Sequence, residues 1–334
     1  MTRRRICAGL AALVVAGATG ACSNAGGDLS AGTAGSGGEG GGGGGAGMRQ
    51  ITVAETAGTP LAFITYGVQR GFFEQQGLDV NAEASTGGAT VIPSLLSGDI
   101  DVAGSNMVSV MIAQSQGVPV TMVAAGTSTA QDPENDFSGV LVRGDSPIQR
   151  PQDLAGKRIA VNTLKNINDV VIFSALSQRG VDISGVELIE MPFPDMAAAV
   201  QRGDVDAGML IEPFLTQGRA QGLRPVLAPY SDLRPGLQIG TYAMTDQRIA
   251  EDPELMQRFQ RGVQQTADAI RADPQAFRTA LPEIAEFDPD LAQRVNLPQW
   301  RGRTDRASVE LIKDGMLRYG LIESDLAYDD IVRY

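Results

Sequence analysis

Two closely spaced pairs of aspartates are the residues whose types and spacing most resemble a chemical site. Asp99 and Asp101 flank an isoleucine, and Asp204 and Asp206 flank a valine further along the chain. Such pairs can hold a metal ion or exchange protons with a substrate. Each pair also lies between a glycine that could end a helix and an apolar, strand-like run, where short carboxylates bond backbone amides. Because no histidine or cysteine accompanies either pair, we interpret both as structural corners.

The surroundings of the two pairs repeat as well. Residues 90–104 and 195–209 share one plan, in which a helix face is followed by a closing glycine, the acidic pair and an apolar run. The closing residues, Gly98 and Gly203, stand where a helix end needs a left-handed residue, which glycine adopts without steric cost. The repeat therefore predicts two lobes with one copy of the unit in each.

The composition excludes several classes of protein. With 334 residues, 43% of them apolar, the chain is long enough for two cores, and its net charge of −12 argues against nucleic acid as a partner. Histidine is absent, and the two cysteines are Cys7 and Cys22. A catalytic triad, a Cys–His pair and a His-ligated metal are thus excluded, and we predict no cofactor and no metal.

The N-terminus has the pattern of an export signal. Three arginines at 3–5 precede an apolar run and small residues that end at Cys22. This resembles a bacterial lipobox and predicts a signal peptide over 1–21 and a lipid on Cys22, which would anchor the protein to the outer face of the cell membrane. The Gly-rich stretch 22–48 is then a tether. A plain cleaved signal, and either general secretory or twin-arginine export, stay open.

One loop in the second half most resembles an anion site. Residues 162–168 hold three asparagines, a threonine and a lysine just before a helix predicted over 169–178. Exposed amides and the helix dipole favour an anion at such a position. The alternative is a well-capped helix with surface asparagines. Glu212, just before Pro213, likewise has two interpretations, as a ligand acceptor in a crevice or as the cap of the helix that the proline starts.

Short strands alternate with loops and helices through most of the chain, which indicates α/β sheets with a ligand crevice at the strands' carboxyl ends. From about residue 50 onward, recognisable motifs lie in the segments 66–73, 77–80, 97–101, 153–160, 202–207 and 212–214. Together they resemble solute-binding proteins of ABC importers, in the family that serves nitrate, alkanesulfonates, taurine and pyrimidine precursors.

The resemblance implies an α/β, two-lobe periplasmic-binding-protein-like fold (type II), each lobe a mainly parallel sheet flanked by helices. Two crossing segments, near 138–143 and 238–243, would form the hinge. Lobe I would comprise 49–138 plus 243–334, and lobe II 139–242.

Solute would bind between the lobes. Transferred by position, the resemblance implies these ligand-binding residues: Thr56, Gly58, Thr59, Thr86, Gly87, Gly88, Ser105, Asn106, Thr163, Lys165, Asn166, Asn168, Glu212, Phe214 and Tyr242. None of these loops contains arginine, so no bidentate clamp is evident, although Lys165 and helix N-termini suit an anion. Phe214 and Tyr242 suit an apolar or ring portion, and we expect a small organic anion with an apolar part.

The implied partners are a small-molecule ligand and the permease subunits of an importer, with the protein itself a monomer. The rival hypothesis is an enzyme on the same fold, since pyrimidine-synthesising relatives resemble these binding proteins. Those relatives depend on histidine and cysteine, which residues 23–334 lack. A ligand-sensing lipoprotein is the third possibility.

Overall fold

The structure is a computed structural model that describes residues 48–334. The predicted signal peptide, the lipidation of Cys22 and nearly all of the Gly-rich tether therefore lie outside the described residues. The strands are β1 (Arg49–Thr56), β2 (Leu78–Ser85), β3 (Val102–Asn106), β4 (Val120–Ala125), β5 (Thr127–Ser128), β6 (Ser138–Arg143), β7 (Arg158–Val161), β8 (Glu187–Glu190), β9 (Ala207–Ile211), β10 (Leu223–Leu227), β11 (Gly240–Thr245) and β12 (Gln299–Trp300).

The α-helices are α1 (Thr59–Gln69), α2 (Gly88–Ser97), α3 (Met107–Ser115), α4 (Ile167–Ser177), α5 (Phe193–Arg202), α6 (Phe214–Ala220), α7 (Pro229–Leu233), α8 (Asp246–Glu251), α9 (Pro253–Ala272), α10 (Pro274–Ile284), α11 (Pro289–Arg294), α12 (Arg306–Arg318) and α13 (Tyr328–Ile331). No helix within 48–334 has both the length and the apolar character needed to cross a membrane.

Two five-stranded sheets follow the same plan. The first has the order β2-β1-β3-β11-β4, and the second has the order β10-β6-β9-β7-β8. In the first, β1 pairs in parallel with β2 and β3, while β11 is antiparallel to β3 and β4. In the second, β7 pairs in parallel with β8 and β9, while β6 is antiparallel to β9 and β10. The predicted α/β fold with two mainly parallel sheets is confirmed.

The doubled acidic unit forms equivalent corners in the two sheets. Gly98 and Gly203 end α2 and α5 in the left-handed conformation, with φ of 81° and 77°. Asp101 accepts the backbone N–H of Thr52 at 2.9 Å, and Asp206 accepts that of Arg158 at 2.8 Å. Each aspartate thus ties the strand that follows it to the parallel neighbour of that strand, β3 to β1 and β9 to β7. The structural interpretation of the pairs is confirmed.

The connections between the sheets precede the strands at which the crossings were predicted. Residues 138–143 are β6 inside the second sheet, and residues 240–245 are β11 inside the first. The chain passes between sheets over 126–137 and 228–239, which run side by side. Gly126 donates its N–H to Gly240 O, and Ile239 donates to Thr127 O, both at 2.9 Å. In sequence, the apolar residues of β6 and β11 look like segments that cross from one sheet to the other. The real connections contain both polar and apolar residues.

Helices from distant parts of the chain complete the two cores. α1, α9 and α10 pack together on one side of the first sheet, where Phe63 stacks on Trp300 with ring centroids 5.2 Å apart. Trp300 is thus a packing residue. α12 packs against both α3 and α4, so an apolar core continues from the helices of the first sheet to those of the second.

Candidate ligand-binding crevice

A crevice lies where the carboxyl ends of strands from both sheets meet. Its volume is about 60 Å³, and it is lined by Glu55, Thr56, Pro60, Gly88, Ser105, Asn106, Thr127, Phe137, Asn162, Ile167, Phe193, Ile211, Tyr230, Ile239 and Gly240. Crevices at this edge are the usual ligand positions in open α/β sheets. This volume is well below the roughly 300–1,000 Å³ of sites for drug-sized ligands. The crevice thus suits a small molecule, or one admitted when the sheets separate.

The wall from the first sheet is polar. The Ser105 hydroxyl donates to the carbonyl of Gly88 at 3.0 Å, and Asn106 caps α3 by accepting the N–H of Ser109 at 3.0 Å. A Cβ at Gly88 would approach the Ser105 hydroxyl to 2.5 Å and the backbone nitrogen of Asn106 to 2.7 Å. Position 88 therefore requires glycine for this close packing of α2 on β3.

The opposite wall is largely apolar and aromatic. Phe137, Phe193, Tyr230, Ile167 and Ile211 are buried there and come from five separate segments around the second sheet. The Tyr230 hydroxyl is turned away from solvent and donates to Asn168 at 2.7 Å. One crevice thus offers hydrogen bonds on one side and an apolar surface on the other.

Among the helices that begin at this edge, α1 to α4 differ in their caps. α3 is capped by Asn106, and α4 by Asn166 together with Asp169. α1 and α2 follow Gly58 and Gly87 and have no side-chain cap. The first-turn N–H groups of a helix have no partner within the helix, so they need one from outside. The first turns of α1 and α2 thus lie beside the polar wall without side-chain caps; Pro60 has no N–H, and the N–H of Thr90 donates to the carbonyl of Gly87 at 3.1 Å.

The polar side chains of the asparagine-rich loop already form hydrogen bonds with one another and with nearby backbone N–H groups. The side chain of Asn166 accepts the N–H of Ile167 at 2.8 Å, and that of Asn168 donates to Asn162 at 2.8 Å. The carboxylate of Asp169 accepts the N–H of Lys165 at 3.0 Å, which places negative charge at this helix N-terminus. The side chain of Lys165 is exposed and does not line the crevice. The geometry matches the alternative of a well-capped helix.

Glu212 is buried and caps α6. Its carboxylate accepts the hydroxyl and the N–H of Thr216 at 2.8 and 3.1 Å, and the N–H of Asn296 at 2.9 Å. Burial raises the pKa of this carboxyl, and these hydrogen bonds oppose the rise. Of its two interpretations the structure shows the cap, and Glu212 is not among the residues that line the crevice.

Four of the fifteen predicted site residues line the crevice: Thr56, Gly88, Ser105 and Asn106. Others lie beside it. Gly58 packs closely against Glu212, because a Cβ built on Gly58 would lie 2.9 Å from the carbonyl oxygen of Glu212. Phe214 stacks on Phe193, with ring centroids 6.0 Å apart. Gly87 and Thr163 face each other, and Thr86 is exposed. Thr59 and Tyr242 are fully buried, and the Tyr242 ring packs against Phe63 and Phe259 inside the first core.

Sequence reasoning missed Glu55, which is 4% exposed and lines the crevice. It accepts the N–H of Thr56 at 2.7 Å and lies against Gly104, where a Cβ would come within 2.5 Å of the carboxyl. Burial raises its pKa to about 7. An acid directly after the apolar residues Val53 and Ala54, near the end of β1, was the available signal. The aromatic residues of the opposite wall carried no such signal, because Phe137, Phe193 and Tyr230 stand singly in three separate segments with no shared motif.

Direct contacts hold the two walls together. The side chain of Asn166 on α4 donates to the hydroxyl of Ser109 on α3 at 3.1 Å, in a buried position. A Cβ at Gly87 would lie 3.0 Å from the amide nitrogen of Asn162. The structure is therefore a closed arrangement of the crevice.

Two other features are separate from the crevice. Within 48–334, no group of three or more acidic side chains is placed to hold a metal ion. A larger cavity of about 640 Å³ lies between α9 and residues 297–301, lined mainly by apolar side chains and two arginines. It is lined by the short strand β12 and the residues beside it, and no residue from the carboxyl ends of the two five-stranded sheets lines it.

Comparison with known proteins gives the family. The profile of the family described as NMT1/THI5 like matches residues 59–277. The taurine-binding periplasmic protein of Escherichia coli K12 is 28% identical over 142 residues, which are 42% of each chain. The 4-amino-5-hydroxymethyl-2-methylpyrimidine phosphate synthase THI13 of Saccharomyces cerevisiae is 25% identical over 246 residues, which are 70% of this chain and 68% of that protein. The match to the taurine-binding protein thus spans less than half of that protein.

Solved structures share the fold. The alkanesulfonate-binding protein SsuA from Xanthomonas axonopodis pv. citri, bound to MOPS, superposes with a TM-score of 0.71 at 17% identity over 86% of this chain and 100% of its own. The ligand-binding component of an ABC-type import system from Staphylococcus aureus, with zinc bound, gives 0.71 at 15% identity over 85% and 96%. The predicted periplasmic-binding-protein-like fold is confirmed.

Proposed function

Because the chain belongs to the NMT1/THI5-like family, we propose that it is the extracytoplasmic solute-binding component of an ABC importer. In this proposal it captures a small organic anion, such as a sulfonate or carboxylate, between its two lobes and delivers it to permease subunits. The binding proteins among its relatives and structural neighbours support this role. Each proposed lobe contains one five-stranded sheet. The bounds predicted from the sequence, 49–138 plus 243–334 and 139–242, would shift to the connections 126–137 and 228–239, because residues 240–242 belong to the first sheet.

The observation that carries the proposal is the pair of uncapped helix N-termini beside the crevice. Pro60 and Gly88 bring the first turns of α1 and α2 to the polar wall, and neither helix has a side-chain cap. Free amides and the positive end of the helix dipole bind anions. Since no lysine or arginine is among the crevice residues, the anion would be held by backbone amides, with its apolar part against Phe193 and Ile211.

Ligand entry would require the lobes to separate. A volume of about 60 Å³ is too small to hold most organic anions. The two connecting segments, 126–137 and 228–239, are the natural hinge, because domain closure is usually absorbed by a few residues in such connections. Ligand would then stabilise the closed arrangement.

The location is part of the proposal. Lipidation of Cys22 would hold the protein at the outer face of the cell membrane, with 22–48 as tether. Changing Cys22 to Ser and fractionating cells tests this, because the variant should leave the membrane fraction. A variant that stays as firmly bound as the parent contradicts the anchor.

The competing function is an enzyme on the same fold. The relatives named as pyrimidine phosphate synthases match more of their length than the taurine-binding protein does. The chain has no histidine, however, and its two cysteines precede residue 23. We therefore favour binding without turnover, in transport or in sensing.

The test is a melting-temperature screen of the full chain against alkanesulfonates, nitrate, aromatic carboxylates and pyrimidines. A ligand at a hundred times its Kd stabilises the native state by about 2.7 kcal/mol, enough for a rise of several degrees. We expect that rise with an organic anion and no chemical change in the compound by mass spectrometry. No rise across the panel would count against solute binding, and turnover of any compound would replace it with an enzymatic role.

A further inference from the structure

The cavity between α9 and residues 297–301 has room for a whole organic molecule. Its volume is about 640 Å³, within the roughly 300–1,000 Å³ of sites for drug-sized ligands. The crevice, at about 60 Å³, shares none of its lining residues with this cavity. A ligand held in the cavity would therefore be bound separately from the crevice.

Most of the cavity wall is apolar. Six of its nine lining residues carry apolar side chains: Ala267, Ile270, Pro274, Leu297, Pro298 and Trp300. Ile270 and Trp300 are buried members of the first core, and Leu297 packs against that core. Since removal of apolar surface from water favours association, a ligand that fits this wall has an apolar body.

The charged side chains of the cavity are both basic. Arg271 and Arg301 line it, whereas no aspartate or glutamate does. The chain as a whole has the opposite balance, with 39 acidic and 27 basic residues. Two guanidinium groups in one cavity attract an anionic group. The wall thus favours a ligand that combines an apolar body with a negative charge.

Both guanidinium groups keep hydrogen-bond donors for a ligand. Each guanidinium has five N–H donors. Within 48–334, Arg271 donates to Asp268 at 2.7 Å and to the carbonyl of Trp300 at 3.3 Å. Arg301 donates to the carbonyl of Gly236 at 3.3 Å. The side chains of the Arg271–Asp268 pair are both exposed, and such pairs are weak. These bonds leave most of the donors to a ligand.

The walls of the cavity are formed without a ligand. β12 pairs with β5, with Trp300 opposite Thr127. The Trp300 ring contacts Phe63 and Phe277, with ring centroids 5.2 and 5.3 Å apart. Sites for small molecules are usually largely preformed. All nine lining residues lie within 267–301, in one proposed lobe, so a ligand needs no separation of the lobes to enter.

We infer that this cavity is a second ligand site, which takes a molecule with a carboxylate and an apolar ring or chain. The carboxylate accepts hydrogen bonds from the guanidinium groups of Arg271 and Arg301, whose planar fork matches two carboxylate oxygens. The apolar body lies against Ile270, Leu297 and Pro298. The site goes beyond the proposed function, because it depends neither on the crevice nor on its solute.

The test compares carboxylates with the matching amides. Binding of octanoate and octanamide, and of naphthalene-2-carboxylate and naphthalene-2-carboxamide, is measured on the full chain by calorimetry at pH 8 and low salt. We expect the carboxylate of at least one pair to bind roughly fivefold or more tighter than its amide, because hydrogen bonds to a charged acceptor are stronger. The two pairs show whether a chain or a ring fits. Acetate, which lacks the apolar body, should bind at least roughly tenfold more weakly.

Variants locate the site. In the double variant Arg271→Gln, Arg301→Gln, the preference for the carboxylate should fall to roughly twofold or less, since both charged donors are gone. Each single variant should lose part of the preference. Arg318→Gln removes the same charge from an exposed position in the last turn of α12, outside the cavity lining, and should leave the preference unchanged.

Each other outcome counts against the inference. Equal binding of carboxylate and amide in both pairs overturns the role of the two arginines. A preference that survives in the double variant places the anion elsewhere, and acetate that binds as tightly as octanoate removes the role of the apolar wall. Binding of neither pair removes the site. If the double variant does not fold, wild-type preference in both single variants overturns the inference instead. None of these outcomes bears on the proposed function, because the cavity and the crevice share no residue.

Discussion

Replacing Glu55 by glutamine should make the ligand-free protein more stable at alkaline pH. Burial raises the pKa of this carboxyl from 4.5 to about 7, with the N–H of Thr56 opposing the rise. The native state therefore holds the proton more tightly than the unfolded state. The penalty is absent below about pH 4.5 and grows as pH rises through 7. At about 1.4 kcal/mol per pKa unit it reaches about 3 kcal/mol when complete, of which about 2 kcal/mol develops between pH 5 and pH 8.

The assay is urea unfolding at pH 5 and pH 8, followed by the fluorescence of Trp300, which is the single tryptophan and is buried. The quantity compared is the free energy of unfolding of Glu55→Gln minus that of the wild type. Other buried carboxyls with raised pKa, such as Asp136 and Glu212, cancel in this difference. Tyr242, the other titratable group facing Glu55, stays neutral because burial and Glu55 raise its pKa.

The glutamine keeps an oxygen that can accept the N–H of Thr56, so the change mainly removes the charge. We expect the difference to increase by about 2 kcal/mol from pH 5 to pH 8. Glu187→Gln, on the exposed surface, should show no such increase. A difference that stays constant within about 0.5 kcal/mol, close to the precision of such extrapolations, would refute the account of Glu55 as a buried, uncompensated acid.

Three further changes test the close packing at the crevice and the corners. Gly88→Ala places a Cβ against the backbone nitrogen of Asn106, so it should cost about 1–3 kcal/mol and weaken ligand binding. Gly156→Ala, with φ of 68° and open space around it, should cost about 1 kcal/mol of backbone strain and leave binding intact. Asp101→Ala removes a backbone hydrogen bond and the ion pair to Arg248, and should cost about 2 kcal/mol without altering ligand affinity. Urea unfolding and calorimetry measure all three; equal affinities of Gly88→Ala and wild type would contradict the position of the crevice.

The fold was predictable because its signals are local. The repeated glycine and acidic pair mark a helix end, a corner and a strand within one short segment, and the two copies fall at equivalent corners of the two sheets. The predicted crossings were displaced from the real connections because β6 and β11 are as apolar as a buried connection would be. Only the pairing of strands separates these alternatives, and pairing depends on residues far apart in sequence.

The crevice was only partly predictable for the same physical reason. Ser105 and Asn106 come directly after a predicted strand. Because the ligand crevice was expected at the carboxyl ends of the strands, both residues were predicted to lie in it. Phe193 and Tyr230 belong to separate helices that meet only in the folded chain. Glu212 and the asparagine loop had the right chemistry, but helix capping claims their hydrogen bonds. A polar residue at the start of a helix can either cap the helix or bind a ligand, and the sequence alone does not distinguish these two roles.

The central claim is that ligand enters by separation of the two lobes, and a disulfide across the crevice tests it most directly. A Cβ at Gly87 would lie 3.6 Å from the hydroxyl of Thr163, so cysteines at these two positions would be close neighbours across the crevice. Gly87 has an extended backbone, with φ of 165°, that any residue can adopt. With Cys7 and Cys22 changed to serine, the chain has no other cysteine.

The measurement is calorimetric binding of the compound that most raises the melting temperature, on the ligand-free Gly87→Cys, Thr163→Cys protein before and after reduction. The oxidised protein should bind nothing, since the lobes cannot part, and the reduced protein should bind as the wild type does, within roughly tenfold. Equal affinity and equal association rate in the oxidised and reduced forms would contradict a ligand site between the lobes.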